Sequence, residues 1–172
     1  PSGSVVVNAS VSTASSSDAA GVTITGDGTG STLAANVTSR AGAIQIQDAA
    51  LIVGAVTLDS TAGNAAAAGA ISFTGAVDGA NLDGTDTLTI DAAQNAVDGT
   101  ADAAVTLTGA AGGGVVAGAQ DLEGLTVSGA QVDVASVVVD AGDVTITGTN
   151  IDLNGSLYEA TTSGSVSMNG PV

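Results

Sequence analysis

The chain has 172 residues, 17 Asp and Glu against a single basic side chain, Arg40, and a formal net charge of −16; it contains no His and no Cys. Most acid–base and nucleophilic chemistry at neutral pH uses His, Cys or Lys, and none of these is present. One Tyr, one Phe and no Trp leave a carboxylate-only glycosidase without aromatic platforms, so the chain reads as non-enzymatic.

The charge also sets the chain against nucleic acid and against anionic membrane surfaces, since both need Lys and Arg. Apolar content is 44%, supplied mainly by Ala and Val. Each such side chain buries little area, which favours a thin core repeated many times over one thick core. No run of 18 apolar residues exists, so no membrane span is expected. Disulfides and Lys–Asn crosslinks are excluded by composition. The chain opens at Pro1 without Met, which reads as a processed or partial chain.

Apolar residues alternate with Thr, Ser, Asp or Gln in short runs, the period-2 signature of half-buried strands. In chain order, strands are predicted near 5–11, 22–25, 43–47, 51–58, 71–74, 87–91, 104–108, 125–128, 132–139, 144–147, 151–153 and 165–168. Turns are predicted at Asp27-Gly28, Asp78-Gly79, Asp83-Gly84, Asp98-Gly99, Gly112-Gly113-Gly114, Asn154-Gly155 and Asn169-Gly170. The best helix candidate, the Ala run at 64–70, is too short to stand alone.

Degenerate repeats overlie these strands. The run from Ala70 to Gly79 recurs from Ala104 to Gly113, and the run from Thr87 to Ala92 is echoed from Gly124 to Gly129. Val-Thr-Ile-Thr-Gly occurs identically at 22–26 and 144–148. The spacing between copies drifts, as a solenoid tolerates when core positions stack and loops bulge outward. The expected fold is therefore all-β, a right-handed parallel β-helix. An antiparallel β-sandwich, completed by a neighbour's strand, is the alternative. One elongated domain covers 1–172, irregular over 1–40 and repetitive over 41–172.

The run from Gly69 to Gly79, the Leu-Thr-Ile-Asp-Ala at 88–92 and the run from Gly142 to Gly155 resemble the shafts of filamentous-haemagglutinin-like β-strand-repeat surface proteins. The resemblance covers roughly 41–172. It implies a right-handed parallel β-helix, secretion to the cell surface and roles in adhesion or matrix. The Asn-Pro-rich secretion region that opens such proteins is absent from this sequence, so export through a partner pore is unsupported.

Several residues stand out as candidate sites. Asn150, Asp152 and Asn154 place oxygen ligands at alternate positions before Gly155, a partial match to a Ca²⁺ loop. Glu159, however, falls short of the closing position, and the same residues fit a strand ending in a turn. The pairs Asp83/Asp86 and Asp140/Asp143 read as solvated turns. Tyr158, the only Tyr, is the one aromatic anchor for a surface glycan. Asn8, Asn36 and Asn154 head glycosylation-type triplets. The pairs Thr23/Thr25, Thr87/Thr89, Thr106/Thr108 and Thr145/Thr147 would form an ice-binding ladder if stacked in register, but their irregular spacing favours plain exposed strand positions. Val5, Val6 and Val7 near the start and Val166 and Met168 near the end carry apolar strand sequence to both ends, without polar caps. They are expected to be edges where identical chains or adjoining repeats stack. The function expected from these features is a subunit or segment of an extracellular filament or shaft on the cell surface. An adhesin or carbohydrate-binding module and an ice-binding solenoid are the alternatives. No cofactor is required, with Ca²⁺ as the only candidate. The expected partner is the chain itself, with surface glycans second.

Overall fold

The structure is a computed structural model that describes residues 3–13, 20–62, 67–81, 84–94, 102–114 and 120–172. The first turn of the chain carries β1 (Val6–Val7), β2 (Val11–Ser12) and β3 (Val22–Ile24); the second carries β4 (Ser31–Leu33), β5 (Val37–Thr38) and β6 (Ile44–Ile46). The third carries β7 (Ala50–Ile52), β8 (Ala55–Asp59) and β9 (Ile71–Phe73); the fourth carries β10 (Val77–Gly79), β11 (Thr87–Asp91) and β12 (Val105–Leu107). Then come β13 (Ala111–Gly112) with the long β14 (Gly124–Val134), and β15 (Val137–Val139) with the long β16 (Val144–Leu153). The chain closes with β17 (Tyr158–Ala160) and β18 (Val166–Asn169).

Each turn but the last adds one strand, or half of a long one, to each of three stacks; the last adds β17 and β18 to the first two. The first stack runs β1-β4-β7-β10-β13-β15-β17. The second runs β2-β5-β8-β11 and continues through the first halves of β14 and β16 to β18. The third runs β3-β6-β9-β12 and continues through the second halves of β14 and β16. β14 and β16 bend from the second stack into the third without breaking, which joins those two stacks into one curled sheet. Every pairing between these strands is parallel. The architecture is all-β and solenoid-like, with no helix among the described residues. An antiparallel sandwich is not what these strands form: consecutive strands lie in different stacks, so each pairs with the strand one turn away.

Inward side chains stack in continuous columns. Val37, Leu58, Ile90, Val127 and Ile146 form one column, and Ile46, Phe73, Leu107 and Val134 another, all essentially without solvent contact. Complete burial of a Val, Leu, Ile or Phe side chain contributes about 1.5–3 kcal/mol, so the narrow core gains stability by repetition. Phe73 is the largest side chain in it.

Corners account for the differences from the sequence expectations. The predicted strands at 5–11 and 51–58 are each two strands with a corner between them, at Asn8–Ser10 and at Gly54, whose φ of 69° suits glycine. The run at 132–139 likewise breaks between Val134 and Val137. Asp78-Gly79, expected as a turn, lies in β10 and is buried, because the chain at Gln120 folds back over it. Gly79 and Gln120 exchange backbone hydrogen bonds of 3.0 and 2.9 Å there. Strands β4, β5, β10, β13 and β17 are too short, or too rich in Gly and Ser, to carry an alternation signal. Of the Ala run, 67–70 is not helical and 64–66 lies outside the described residues, as do Asp83 and the expected turn at Asp98-Gly99.

The repeats map onto the turns with one instructive exception. Ile71 and Phe73 sit directly on Val105 and Leu107, and Thr87–Asp91 on Gly124–Ser128, so those two repeats are adjacent turns in register. The identical pentapeptides do not correspond in this way: Val22–Ile24 is in the third stack and Val144–Ile146 in the second. They share a local strand chemistry rather than a place in the turn.

Candidate functional site

Two features of the surface are built by the stacking itself: the two end turns, and the outward columns of small polar side chains.

At the first end, β1, β2 and β3 each pair on one side only, with β4, β5 and β6. At the other end β17 and β18 pair on one side only, with β15 and β16. Val6 is 53% exposed and Val166 37% exposed on these edge strands, while Val7 is buried. Val5, Val11 and Val22 at one end, and Leu153, Tyr158 and Met168 at the other, are half-buried members of the core columns. All five residues expected at assembly edges therefore lie in the first or last turn. Among the described residues nothing covers the first end; at the other, the Ile151 N–H donates to the Pro171 carbonyl at 2.8 Å over the third stack, while β17 and β18 stay open.

Acidic residues serve the corners. Asp86 is fully buried, and its carboxylate accepts the backbone N–H groups of Gly54 (2.6 Å), Ala80 (2.7 Å) and Asn81 (2.7 Å), tying two turns together. Asp48, 5% exposed, accepts from the Ser31 hydroxyl at 3.1 Å and from the Ala49 N–H. Asp140 accepts from the hydroxyls of Thr161 and Thr162, and Asp143 from the N–H and hydroxyl of Ser165. Asp86 thus corrects the expectation of a solvated turn. A carboxylate gathering three N–H groups at a sharp corner leaves no spacing signature in sequence. Asp27 accepts from the N–H and hydroxyl of Thr29, and these bonds hold its carboxyl below the usual range. Burial pushes the Asp91 carboxyl up, with the nearby Asp59 and Asp102 carboxylates adding to the rise against a bond from the Ala93 N–H.

The expected Ca²⁺ ligands do not wrap around a point. Asn150, Asp152 and Asn154 are exposed and run along β16 and just past its end, where alternate side chains are about 6.6 Å apart. A Ca²⁺ loop folds its ligands to within about 2.5 Å of one ion. Asn150 instead donates to Gln131 Oε1 at 2.6 Å, and Gln131 donates to Asp133 Oδ1 at 2.7 Å. Asp152 stacks on Asp133 of the turn before. Among the described residues no group of three His, Cys, Asp or Glu side chains converges on a metal position. Tyr158 is half-buried against the core, and its hydroxyl accepts from the Gly155 N–H at 2.8 Å and donates to the Val134 carbonyl at 3.0 Å. Its polar end is committed to a corner.

The Thr pairs fall on two faces. Thr23/Thr25 and Thr106/Thr108 belong to the third stack, where the Thr23 and Thr25 hydroxyls bond Gln45 and Gln47. Thr89 and Thr145 belong to the second stack and join Thr57, Thr126 and Ser167 in one column, a hydroxyl on each of five successive turns. The uneven sequence spacing that argued against a ladder is absorbed by loops between the strands. Beside this column runs a second of Asp59, Asp91, Ser128, Thr147 and Asn169. A shallow groove of about 480 Å³ opens on the same face, between Thr87, Thr89, Thr126, Glu123 and Asp143.

No family model, no curated protein and no solved structure matches this chain.

Proposed function

We propose that the protein is a non-catalytic structural element of an extracellular filament or shaft on the cell surface, extended by stacking turn upon turn. The carrying observation is the pair of open ends: the first and second stacks and their apolar columns continue to both end turns, where β1, β2, β17 and β18 are each paired on one side only. Unpaired strand edges over an apolar core are a template for further strands. A next turn, from a second copy or from adjoining repeats of the same chain, would place Val5 and Val7 over Tyr158 and Ala160 and continue the first stack. The winding is read as a right-handed parallel β-helix, because crossovers between parallel strands are right-handed in almost all proteins. The likeness of the repeats to filamentous-haemagglutinin-like shafts supports the same reading. Net charge of −16 keeps the lateral faces mutually repelling, which favours growth along the axis over side-by-side clumping. No cofactor enters this reading. Adhesion to glycans has no comparable support, since Tyr158 is occupied internally.

Electron microscopy of the purified chain, with Ca²⁺ and with chelator, tests the proposal. Uniform fibres that disappear in Val6→Lys and Val166→Lys variants are expected. Isolated short particles in every condition would overturn self-assembly of this chain, and fibres lost only in chelator would add a metal to the junction.

A further inference from the structure

The lateral face of the second stack carries an inference that does not depend on what covers the ends. Five hydroxyl side chains, those of Thr57, Thr89, Thr126, Thr145 and Ser167, occupy equivalent outward positions on five successive turns. Parallel strands fix their spacing at about 4.8 Å along the axis, and the neighbouring column lies about 6.6 Å across. The two columns hold only Thr, Ser, Asp and Asn, so no bulky side chain interrupts the face.

The hydroxyls of this column also differ from those that hold corners or bond neighbouring side chains. Thr13, Thr29, Thr149, Thr161 and Thr162 spend theirs on corner backbone or carboxylates, and Thr23 and Thr25 on Gln side chains. No protein partner takes the hydroxyls of Thr57, Thr89, Thr126, Thr145 or Ser167 among the described residues. Four of the five are carried by β-branched Thr side chains with few rotamers, on a backbone that is itself fixed by the ladder. A pre-positioned net of free hydroxyls loses little entropy on meeting a ligand with a matching repeat.

The chemistry of the face narrows that ligand. It holds no cation, which disfavours polyanions, and no aromatic ring, which disfavours stacking on sugar rings. What remains along the hydroxyl column is a repeating, uncharged array of hydrogen-bond donors and acceptors, with the carboxylates of Asp59 and Asp91 confined to two turns of the neighbouring column. We infer that this face binds an ordered water lattice, the surface of ice, through the hydroxyl column centred on Thr126. The methyl groups of the Thr side chains order water between hydroxyls, and the short spacing of the net lies near the oxygen repeat along an ice axis.

The test is thermal hysteresis and inhibition of ice recrystallisation, measured on the unmodified chain and on three variants checked for wild-type circular dichroism. Thr126→Tyr places a ring in the middle of the column, and Thr145→Arg disrupts it one turn on should the first variant misfold. Thr108→Tyr makes the same change on the third stack. Activity in the unmodified chain that is lost in Thr126→Tyr or Thr145→Arg and kept in Thr108→Tyr is expected. Absence of both activities in the folded unmodified chain overturns the inference, as does equal loss in all three variants. Retention on insoluble cellulose or chitin without any effect on ice would also overturn it and assign the face to a neutral polysaccharide. Both ice measurements are made on the supernatant after high-speed centrifugation, which removes any fibres, so failure here is separable from failure of end-to-end assembly.

Discussion

The turns from β7 to β13 and those from β13 to β18 share an interior and differ in outline. In the earlier region the path from Val77 to Ala111 is the longest in the first stack, and long connections leave the second stack between β8 and β9 and between β11 and β12. In the later region Val137 returns over itself at Tyr158 after a short circuit, and β16 passes from one stack to the next as a single strand. Yet Ile71, Val105, Val132 and Ile151 stack across both without a break. Where the chain points inward it is constrained on every turn. Where it leaves the strands only the return position matters, and loop closure grows slowly with length.

The first way to break this comparison is to cut into the shared interior. Phe73→Ala in the looped region and Ile146→Ala in the tight region should both be severe, about 3–5 and 2–5 kcal/mol, as read from denaturant midpoints. A small loss at either position would mean that its region does not contain the same core. Asp86→Ala comes next. It strips the charged acceptor from three backbone N–H groups and should cost about 3 kcal/mol, whereas Asp86→Asn should recover part of the loss.

Insertions separate the outlines. Four residues added between the exposed Gly113 and Gly114 should cost less than about 1 kcal/mol. The same four residues between Ala135 and Ser136 interrupt a two-residue corner and should cost about 3 kcal/mol or more, through lost register of β15 on β13. Equal costs would remove the distinction.

The smallest expected effect concerns Asp91. Its folded carboxyl titrates above the ordinary value of 3.8, so the folded state holds more protons than the unfolded state between that value and the raised one. Stability therefore falls as pH rises through that window, and the penalty persists at neutral pH. Asp91→Asn keeps an acceptor for the Ala93 N–H and should raise the melting midpoint at pH 7 by about 1 °C, with no gain at pH 3. The side chain is half-exposed, so solvent screening keeps the effect small.

Much of this comparison is legible in the sequence. Alternation located β9, β11 and β12 to within a residue, because an inward Ile, Phe, Leu or Val flanked by Ser or Thr has only one way to face a thin core. The repeat pairs at Ile71 and Val105, and at Thr87 and Gly124, anticipated two of the stacked pairings. Corners were not legible: Asn8–Ser10 and Gly54 interrupt apolar runs that look continuous, and a three-residue strand such as β4 is too brief to show a period. The hydroxyl column was hidden for a different reason. Thr57, Thr89, Thr126 and Thr145 are unevenly spaced along the chain, and their common face exists only once the register is known. Nor could spacing reveal that Tyr158 and Asp86 hold corners together rather than meet a ligand.

Register is therefore the central claim, and the absence of Cys makes it directly measurable. Spin labels attached to cysteines introduced at Thr57 and Ser167 would lie four strands apart on one column, and electron paramagnetic resonance at high dilution should read a distance near 19 Å, broadened by the label linkers. A well-defined distance beyond roughly 30 Å would place the two residues outside one column of adjacent parallel strands and contradict the account.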